Sequence, residues 1–160
     1  QYQGIAVQSK SGHAFIKDVM REHNAVYGGE MSAHHYFRDF AYCDSGMIPW
    51  LLTIALLSET EQSLSTLVEN MIAKFPCSGE INFKVADTQA TVQKIFDHYA
   101  DQNPLVDRTD GVSLDFGTWR LNVRASNTEP LLRLNIESRA DKNPQPMQNY
   151  VDELTDLIQG

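Results

Sequence analysis

The sequence predicts an α/β domain followed by a small α+β domain. Three observations predict this arrangement. Strand-like and helix-like stretches alternate in the first half, apolar residues occupy every second position in much of the second half, and Pro76 and Gly79 interrupt the pattern between them. We expect residues 1–75 to be part of an incomplete α/β domain with a parallel or mixed sheet, and residues 78–160 to form the second domain.

The first domain should begin with a strand, a helix and a second strand. The stretch GIAVQS, at residues 4–9, is typical of a short apolar strand, and AVYGGE, at residues 25–30, of a strand ending in a Gly-Gly turn. Between them, apolar residues at helical spacing predict a helix from His13: Phe15, Ile16, Val19 and Met20. Because so few strands rarely make a covered parallel sheet, and the chain opens on Gln1 directly before a strand, we expect a fragment of a larger protein.

Two further helices are expected before the domain boundary. Ser45 can cap the first of them, with Pro49 in its first turn, and the apolar run MIPWLLTIALL predicts that this helix is buried. The run is shorter than the roughly 20 residues that span a bilayer, so we expect no membrane segment. The second helix should have one apolar face, made by Leu64, Leu67, Val68, Met71 and Ile72.

The second domain should contain a four-stranded, largely antiparallel sheet with two helices on one face. A strand at INFKV, residues 81–85, is followed by a helix, three strands and a last helix. The helical faces are Val92, Ile95, Phe96 and Tyr99, and Met147, Tyr150, Val151, Leu154, Leu157 and Ile158. The alternating strand residues are Val112, Leu114 and Phe116, then Leu121, Val123 and Ala125, then Leu132, Leu134 and Ile136.

Strand parity places polar side chains on the uncovered face of this sheet. If Leu121 and Val123 face the helices, then Arg124 faces the opposite side. On the following strand, Arg133 should lie on that same open face. Two arginines therefore flank the turn inside the segment RASNTEP, residues 124–130.

Composition and charge exclude several classes of protein. The formal net charge of -8 and a pI near 5.0 disfavour nucleic acid as the main partner, because that affinity comes largely from Lys and Arg. Cys43 and Cys77 are too few and too far apart for a disulfide framework or a zinc cluster. Cysteines this sparse suit a reducing compartment, so we expect a cytoplasmic protein, and the N-terminus shows no secretory signal pattern, which a processed or truncated chain would also lack.

The RASNTEP turn is a candidate phosphate site. Arg124 offers paired donors, and Ser126, Asn127 and Thr128 add hydroxyl, amide and backbone N–H donors in a compact turn. The alternative is ordinary turn chemistry beside a surface arginine. The residues alone leave both interpretations open.

Two other clusters carry polar residues at suggestive spacing. Glu30, Ser32 and His34 would point the same way in an extended segment, and a carboxylate beside a hydroxyl suits sugar hydroxyls, although an ordinary polar strand end is the alternative. No H-E-x-x-H spacing accompanies them, so we predict no metal site. Lys10 and His13 flank a glycine-containing turn that opens a helix, where anions are favoured.

Three segments together, GGEMSAHH, YCDSGMIPW and VRASNTEPLLRLNIES, resemble the α-D-phosphohexomutase superfamily and, within it, bacterial phosphomannomutases most closely. The resemblance covers nearly the whole chain. It implies that residues to about Phe75 are the larger part of the third domain of that family, and that the remainder is the fourth, C-terminal domain.

The resemblance also implies roles for the candidate residues. Glu30 and Ser32 would contact sugar hydroxyls, and His34 matches a histidine near the transferring phosphoryl group, with a possible catalytic role. The phosphate that is not reacting would be held by Arg124, Ser126, Asn127 and Thr128, with Lys10 and His13 as a further phosphate-contacting pair. Many family members have glycine where this chain has Asn127, a difference that still permits a left-handed turn.

The family reaction moves a phosphoryl group between the 1- and 6-hydroxyls of a hexose through a phosphoserine and a bisphosphorylated sugar. Neither the phosphoserine loop nor the Asp-rich loop that holds Mg²⁺ is found in this sequence. The resemblance therefore implies that Mg²⁺ and the missing N-terminal domains act with this chain on a hexose phosphate. The alternatives are a phosphoglucomutase, because no residue distinguishes mannose from glucose, and a non-enzymatic sugar-phosphate-binding module.

Overall fold

The structure is a computed structural model that describes residues 3–126, 131–139 and 145–160. Its backbone divides into two compact units, Gln1–Leu64 and Ser65–Gly160, which we call unit 1 and unit 2. This division precedes the boundary expected around residues 76–77, which stays a prediction.

In unit 1, one helix packs on a small antiparallel sheet. Helix α1 (His13–Glu22) is followed by strands β1 (Tyr27–Gly29), β2 (His35–Phe37) and β3 (Cys43–Asp44), in the order β1-β2-β3. The buried core consists of Ile16, Met20 and Tyr36. Gly28 permits close packing of α1 on β1, because a Cβ there would lie 2.7 Å from Sδ of Met20.

The start of unit 1 differs from the sequence-based expectation. Residues 4–9 form no strand in the described structure, and Ile5 is 95% exposed. An extended segment becomes a strand only when a neighbour completes its hydrogen bonds, and these residues pair with no described strand. The described pairings in unit 1 are antiparallel rather than parallel or mixed, because short connections join successive strands.

The apolar run of the sequence forms helix α2 (Met47–Thr60). The N-cap residue of α2 is Gly46 rather than the expected Ser45, although the Ile48 N–H does donate to Oγ of Ser45 at 3.3 Å. The expectation that this helix is buried is wrong for the described structure, since α2 has no buried residue and Trp50 is 55% exposed. The sequence shows that the helix is apolar, but it does not show what covers it. Helix α3 (Leu64–Lys74) follows and also has no buried residue.

Unit 2 is an antiparallel sheet covered by two helices. The strands are β4 (Ile81–Phe83), β5 (Leu105–Asp107), β6 (Val112–Asp115), β7 (Trp119–Ala125) and β8 (Leu132–Ser138), in the order β4-β8-β7-β6-β5. Helices α4 (Thr88–Tyr99) and α5 (Met147–Gln159) bury Ile95 and Leu154 against the alternating strand residues, which confirms that both lie on one face. The Asp87 carboxylate caps α4, accepting from the N–H groups of Gln89 and Ala90.

The fifth strand was not expected from the sequence. β5 pairs antiparallel with β6 at the edge of the sheet, and Leu105 on it is 78% exposed. A strand of three residues without a buried face leaves no alternation to detect.

No helix in the described ranges is both long enough and apolar enough to cross a membrane.

Candidate functional site

The candidate site in unit 1 is built on the turn between β1 and β2. The Ala33 N–H donates to the Glu30 carbonyl and the Glu30 N–H to the His34 carbonyl, both at 3.0 Å. Ala33 adopts a φ of 63°, which tightens the turn. Oγ of Ser32 consequently lies 2.7 Å from Nδ1 of His34. The predicted residues do lie together, although through a turn rather than through the expected extended segment.

The Glu30 carboxylate is held in a fixed position. Its Oε1 accepts a hydrogen bond from the Gly12 N–H at 3.0 Å, and its Oε2 accepts from the Tyr36 hydroxyl at 3.2 Å. The side chain is only 13% exposed. Because a carboxylate can accept about four hydrogen bonds, acceptor capacity remains for a ligand hydroxyl.

Tyr36 supports this carboxylate from the core of unit 1. Its side chain is fully buried, and burial raises the pKa of the Tyr36 hydroxyl to about 12, with the negative charges of Glu30 and Asp44 adding to the effect. The phenol therefore stays protonated at neutral pH and donates to Glu30.

A second group of side chains meets the turn from α1 and β3. Nδ1 of His13, at the start of α1, lies 3.5 Å from Oδ1 of Asp44, and its ring centroid is 4.6 Å from that of His34. Nζ of Lys17 lies 3.8 Å from the same Asp44 oxygen. We refer to His13, Glu30, Ser32, His34 and Asp44 as the unit 1 cluster.

The sequence did not identify Asp44 as a member of the unit 1 cluster, or Lys17 as its neighbour. Lys17 follows His13 by one helical turn, which is a signal that was available. Asp44 is far from His13 in sequence, and only the pairing of β3 with β2 brings it close. Lys10 places its ammonium 5.8 Å from the centroid of the Phe15 ring.

The candidate phosphate site in unit 2 contains a pair of arginines. Arg124 and Arg133 are directly opposite each other in the β7–β8 register, which confirms that they share a face. Glu80 bridges them, with oxygens 3.5 Å from Nη2 of Arg124 and 3.4 Å from Nη1 of Arg133. All three side chains are at least three-quarters buried, and Glu80 was not identified from the sequence.

The turn beside this pair is described only at its two ends. The Ser126 N–H donates to the Leu131 carbonyl at 2.8 Å, which joins the two strands beyond Arg124. The predicted phosphate residues Asn127 and Thr128 lie outside the described residues.

A neighbouring turn also packs against Arg124. Gly111 has a φ of 73°, and a Cβ there would lie 2.5 Å from both the Val123 carbonyl oxygen and Cβ of Arg124. Asn122 ties this turn to the sheet, because its Nδ2 donates to the Asp110 carbonyl at 2.8 Å and to Oγ of Ser113 at 2.9 Å. A glycine is therefore required where the turn meets the strand that carries Arg124.

Family models match nearly the whole chain. Residues 1–75 match the phosphoglucomutase/phosphomannomutase alpha/beta/alpha domain III, and residues 80–154 match the C-terminal domain of the same family.

Individual relatives are similar over most of the chain. It is 60% identical over 157 residues to phosphohexose mutases of Xanthomonas campestris pv. campestris (strain B100), covering 98% of this chain and 35% of that protein. It is 59% identical over 138 residues to a phosphomannomutase of Salmonella typhimurium, covering 86% of this chain and 30% of that protein. It is 56% identical over 156 residues to a phosphomannomutase of Vibrio cholerae, covering 97% of this chain and 33% of that protein. The chain thus spans about a third of the length of these relatives.

A solved structure has a similar fold. A phosphoglucomutase/phosphomannomutase family protein from Burkholderia thailandensis superposes with a TM-score of 0.66 at 24% identity, covering 95% of this chain and 32% of that one. At this identity, the likeness concerns the fold alone.

Proposed function

The chain belongs to the phosphoglucomutase/phosphomannomutase family, and we propose that it is the sugar- and phosphate-recognising part of a phosphomannomutase. In this proposal the complete protein interconverts mannose 6-phosphate and mannose 1-phosphate through a phosphoserine and a bisphosphorylated sugar. The missing N-terminal domains are partners of this chain and supply the phosphoserine. Its expected location is the cytoplasm, in keeping with the free cysteines Cys43 and Cys77.

The observation that carries the proposal is the fixed Glu30 carboxylate. The Gly12 N–H and the Tyr36 hydroxyl position it beside Ser32 and His34 before any ligand arrives. A preorganised acceptor loses little conformational freedom on binding. The Glu30 carboxylate can accept hydrogen bonds from two sugar hydroxyls, or from a single hydroxyl with both oxygens. The Ser32 hydroxyl can donate a hydrogen bond to the sugar or accept one from it.

The phosphate that does not react binds in unit 2 in this proposal. The Arg124 guanidinium faces the same side of the sheet as Arg133, and planar guanidinium donors suit phosphate oxygens. Ser126, Asn127 and Thr128 complete this site from the adjoining turn. In unit 1, His13 and Lys10 form a second phosphate contact, where the exposed His13 side chain lies at the start of α1.

His34 is a candidate for proton transfer near the reacting hydroxyl. Its Nδ1 is engaged by Ser32, which leaves Nε2 for a substrate oxygen. A neutral imidazole with one nitrogen fixed in this way can accept a proton at the other.

The family is generally Mg²⁺-dependent, and we propose that the ion binds outside this chain. Mg²⁺ prefers clusters of oxygen ligands. The carboxylates of the two described sites do not form such a cluster: Asp44 lies beside the His13 imidazole, Glu30 already accepts two hydrogen bonds, and Glu80 pairs with two arginines.

This division of labour agrees with the demands of phosphoryl transfer. That reaction depends on positioning and on stabilising charge, rather than on much covalent chemistry by the protein. Binding energy from an unreactive phosphate orients the reacting end of the sugar. A chain without the phosphoserine provides recognition and no turnover.

The test is ³¹P NMR of mannose 1-phosphate. With this chain alone we expect no mannose 6-phosphate signal. With a full-length protein that includes this chain, assayed in the presence of Mg²⁺, we expect steady conversion. Turnover by the chain alone would contradict the proposed division, and no turnover by the full-length protein would contradict the activity.

Two alternatives have distinct outcomes. The family includes phosphoglucomutases, and a higher kcat/KM for glucose 1-phosphate than for mannose 1-phosphate would assign the protein to that activity. Calorimetry with this chain distinguishes a non-enzymatic module, which would bind mannose 1-phosphate tightly while the full-length protein converts none.

A further inference from the structure

We propose that His13, His34 and Asp44 bind a divalent transition metal such as Zn²⁺ or Co²⁺. One ligand atom from each of the three residues lies within 4.8 Å of the others. The residues come from three elements of unit 1, namely the start of α1, the β1–β2 turn and β3. Two imidazoles and one carboxylate are a ligand set that proteins use for zinc and neighbouring metals.

Only small side-chain movements are needed to close this site. With metal–ligand distances of about 2.0–2.2 Å, tetrahedral ligand atoms lie about 3.3 Å apart. Nδ1 of His13 and Oδ1 of Asp44 are already 3.5 Å apart. The His13 side chain is half exposed, so it can change rotamer without disturbing the core of unit 1.

The surrounding groups favour a cation at this position. Glu30 adds a second carboxylate, with Oε2 3.5 Å from Nδ1 of His34, while Lys17 supplies one ammonium beside Asp44. With neutral imidazoles these three charges sum to one net negative charge. Ser32 engages Nδ1 of His34, which leaves Nε2 for the metal and fixes the ring by the kind of outer contact seen around metal-binding histidines.

The ligand types distinguish this site from a magnesium site. Imidazole nitrogens suit Zn²⁺, Co²⁺, Ni²⁺ and Cu²⁺, whereas Mg²⁺ prefers oxygen ligands in an octahedral arrangement. Millimolar Mg²⁺ should therefore leave a bound transition metal in place.

The experiment is a Co²⁺ titration of the 160-residue chain, followed by the visible d–d absorption of the metal. The background variant C43S/C77S removes both exposed thiols, which are competing soft ligands and include the neighbour of Asp44. We expect saturation at one Co²⁺ per chain, unchanged by millimolar Mg²⁺ and reversed by Zn²⁺.

Ligand variants then assign the site. Because even partners outside the ligand set change metal affinity by roughly 10–100-fold, His13→Ala, His34→Ala and Asp44→Asn should each weaken Co²⁺ binding by at least about tenfold. His98→Ala is the matched control, since His98 also pairs with a carboxylate, Glu153 at 3.2 Å, but lies in unit 2. Circular dichroism checks that each variant is folded. No saturable binding, or equal weakening by His98→Ala, would overturn the proposal.

A consequence follows for substrate binding, and it rests on the proposed function. A metal held by His13 and His34 occupies side chains assigned to phosphate and to the reacting end of the sugar. Calorimetry should show that one equivalent of Zn²⁺ weakens mannose 1-phosphate binding in the wild-type chain and weakens it much less in Asp44→Asn. No sugar-phosphate binding without metal would count against the proposed function, whereas unchanged binding with metal would count against the overlap of the two sites.

Discussion

Each of the two units is stabilised internally by a different kind of contact. Within the described part of the chain, unit 2 has a cluster of fourteen buried apolar residues, whereas unit 1 has three. Fully burying a large apolar side chain contributes about 1.5–3 kcal/mol, so unit 2 has the greater apolar stabilisation. Unit 1 instead joins its elements by polar contacts such as the bond from the Gly12 N–H to Glu30.

The candidate sites differ in the same way. In unit 1 the polar residues of the site connect α1 to the sheet, so recognition and local stability depend on the same side chains. In unit 2 the arginines lie on the open face, opposite a complete core. Substitutions in unit 2 should therefore separate stability from binding, whereas substitutions in unit 1 should not.

The largest expected effect is on the core of unit 2. Leu134 is fully buried on the interior strand β8, so Leu134→Ala should lower the free energy of unfolding by about 2–5 kcal/mol. Urea unfolding of Leu134→Ala and of its parent, both carrying Trp50→Phe, measures this loss by tryptophan fluorescence. The remaining Trp119 reports on the core because it stacks on Tyr150 there. The matched control is Leu105→Ala on the exposed edge strand, expected to change stability by less than about 0.5 kcal/mol. Equal losses would show that the core was misassigned.

The next largest effect is a loss of substrate binding at Arg124 that leaves the core of unit 2 intact. In the full-length protein, Arg124→Ala should weaken transition-state binding by roughly 1.5–3 kcal/mol, the scale of a hydrogen bond to a charged group. Steady-state kcat/KM with mannose 1-phosphate measures it. Arg108→Ala is the control, because Arg108 lies over the Phe96 ring in the same unit. An unchanged kcat/KM would remove Arg124 from the phosphate site.

Sequence patterns predicted the parts of the fold in which one face is buried. Alternation along β7 and β8 placed Arg124 and Arg133 on one face, and the register confirms it. The exposed strand β5 and the exposure of α2 could not be predicted, since one has no buried face and the other is apolar all round.

The candidate site was only partly predictable for a related reason. Glu30, Ser32 and His34 are close in sequence, so spacing alone brought them together. Asp44 and Glu80 reach their partners through strand pairing, β3 with β2 and the entry to β4 beside β8. Long-range pairing of this kind leaves no local pattern, and the roles assigned to all these residues stay predictions.

The third effect makes unit 1 sensitive to alkaline pH. The folded-state pKa of Tyr36 is raised to about 12 from an ordinary value of 10, so its contribution to stability is complete below pH 10 and is lost as pH rises towards 12. At about 1.4 kcal/mol per pKa unit, roughly 2–3 kcal/mol is at stake.

Tyr36→Phe isolates this effect. The variant loses the hydrogen bond to Glu30 at neutral pH but has no phenol to ionise there, while Tyr99 of unit 2, whose pKa is also raised by burial, titrates in both chains. Urea unfolding followed by circular dichroism should show the wild-type advantage at pH 8 shrinking by about 2 kcal/mol near pH 12. A constant difference over that range would mean that Tyr36 is not buried as described.

The smallest effect on stability is expected at Glu80. The ion pairs of Glu80 with Arg124 and Arg133 are long, at 3.5 and 3.4 Å, and a quarter of the Glu80 side chain still reaches solvent, so Glu80→Gln should cost only about 1 kcal/mol. The same substitution removes an anion that neutralises both guanidinium groups. Phosphate oxygens would then meet the two guanidinium groups with one negative charge fewer beside them, so calorimetry at low salt should show tighter binding of mannose 1-phosphate to the variant.

Glu80→Gln tests whether the arginine pair is a binding site or a structural ion pair. The control, Glu137→Gln, removes the carboxylate that pairs with Arg120 at 2.8 Å elsewhere on the sheet, and it should leave sugar-phosphate affinity unchanged. If Glu80 serves only to stabilise unit 2, its substitution lowers stability and has no effect on affinity. If Glu80 holds the arginines in the geometry that phosphate requires, affinity falls although a negative charge has been removed. Tighter binding is the outcome expected if the carboxylate occupies the place of the phosphate until the ligand arrives.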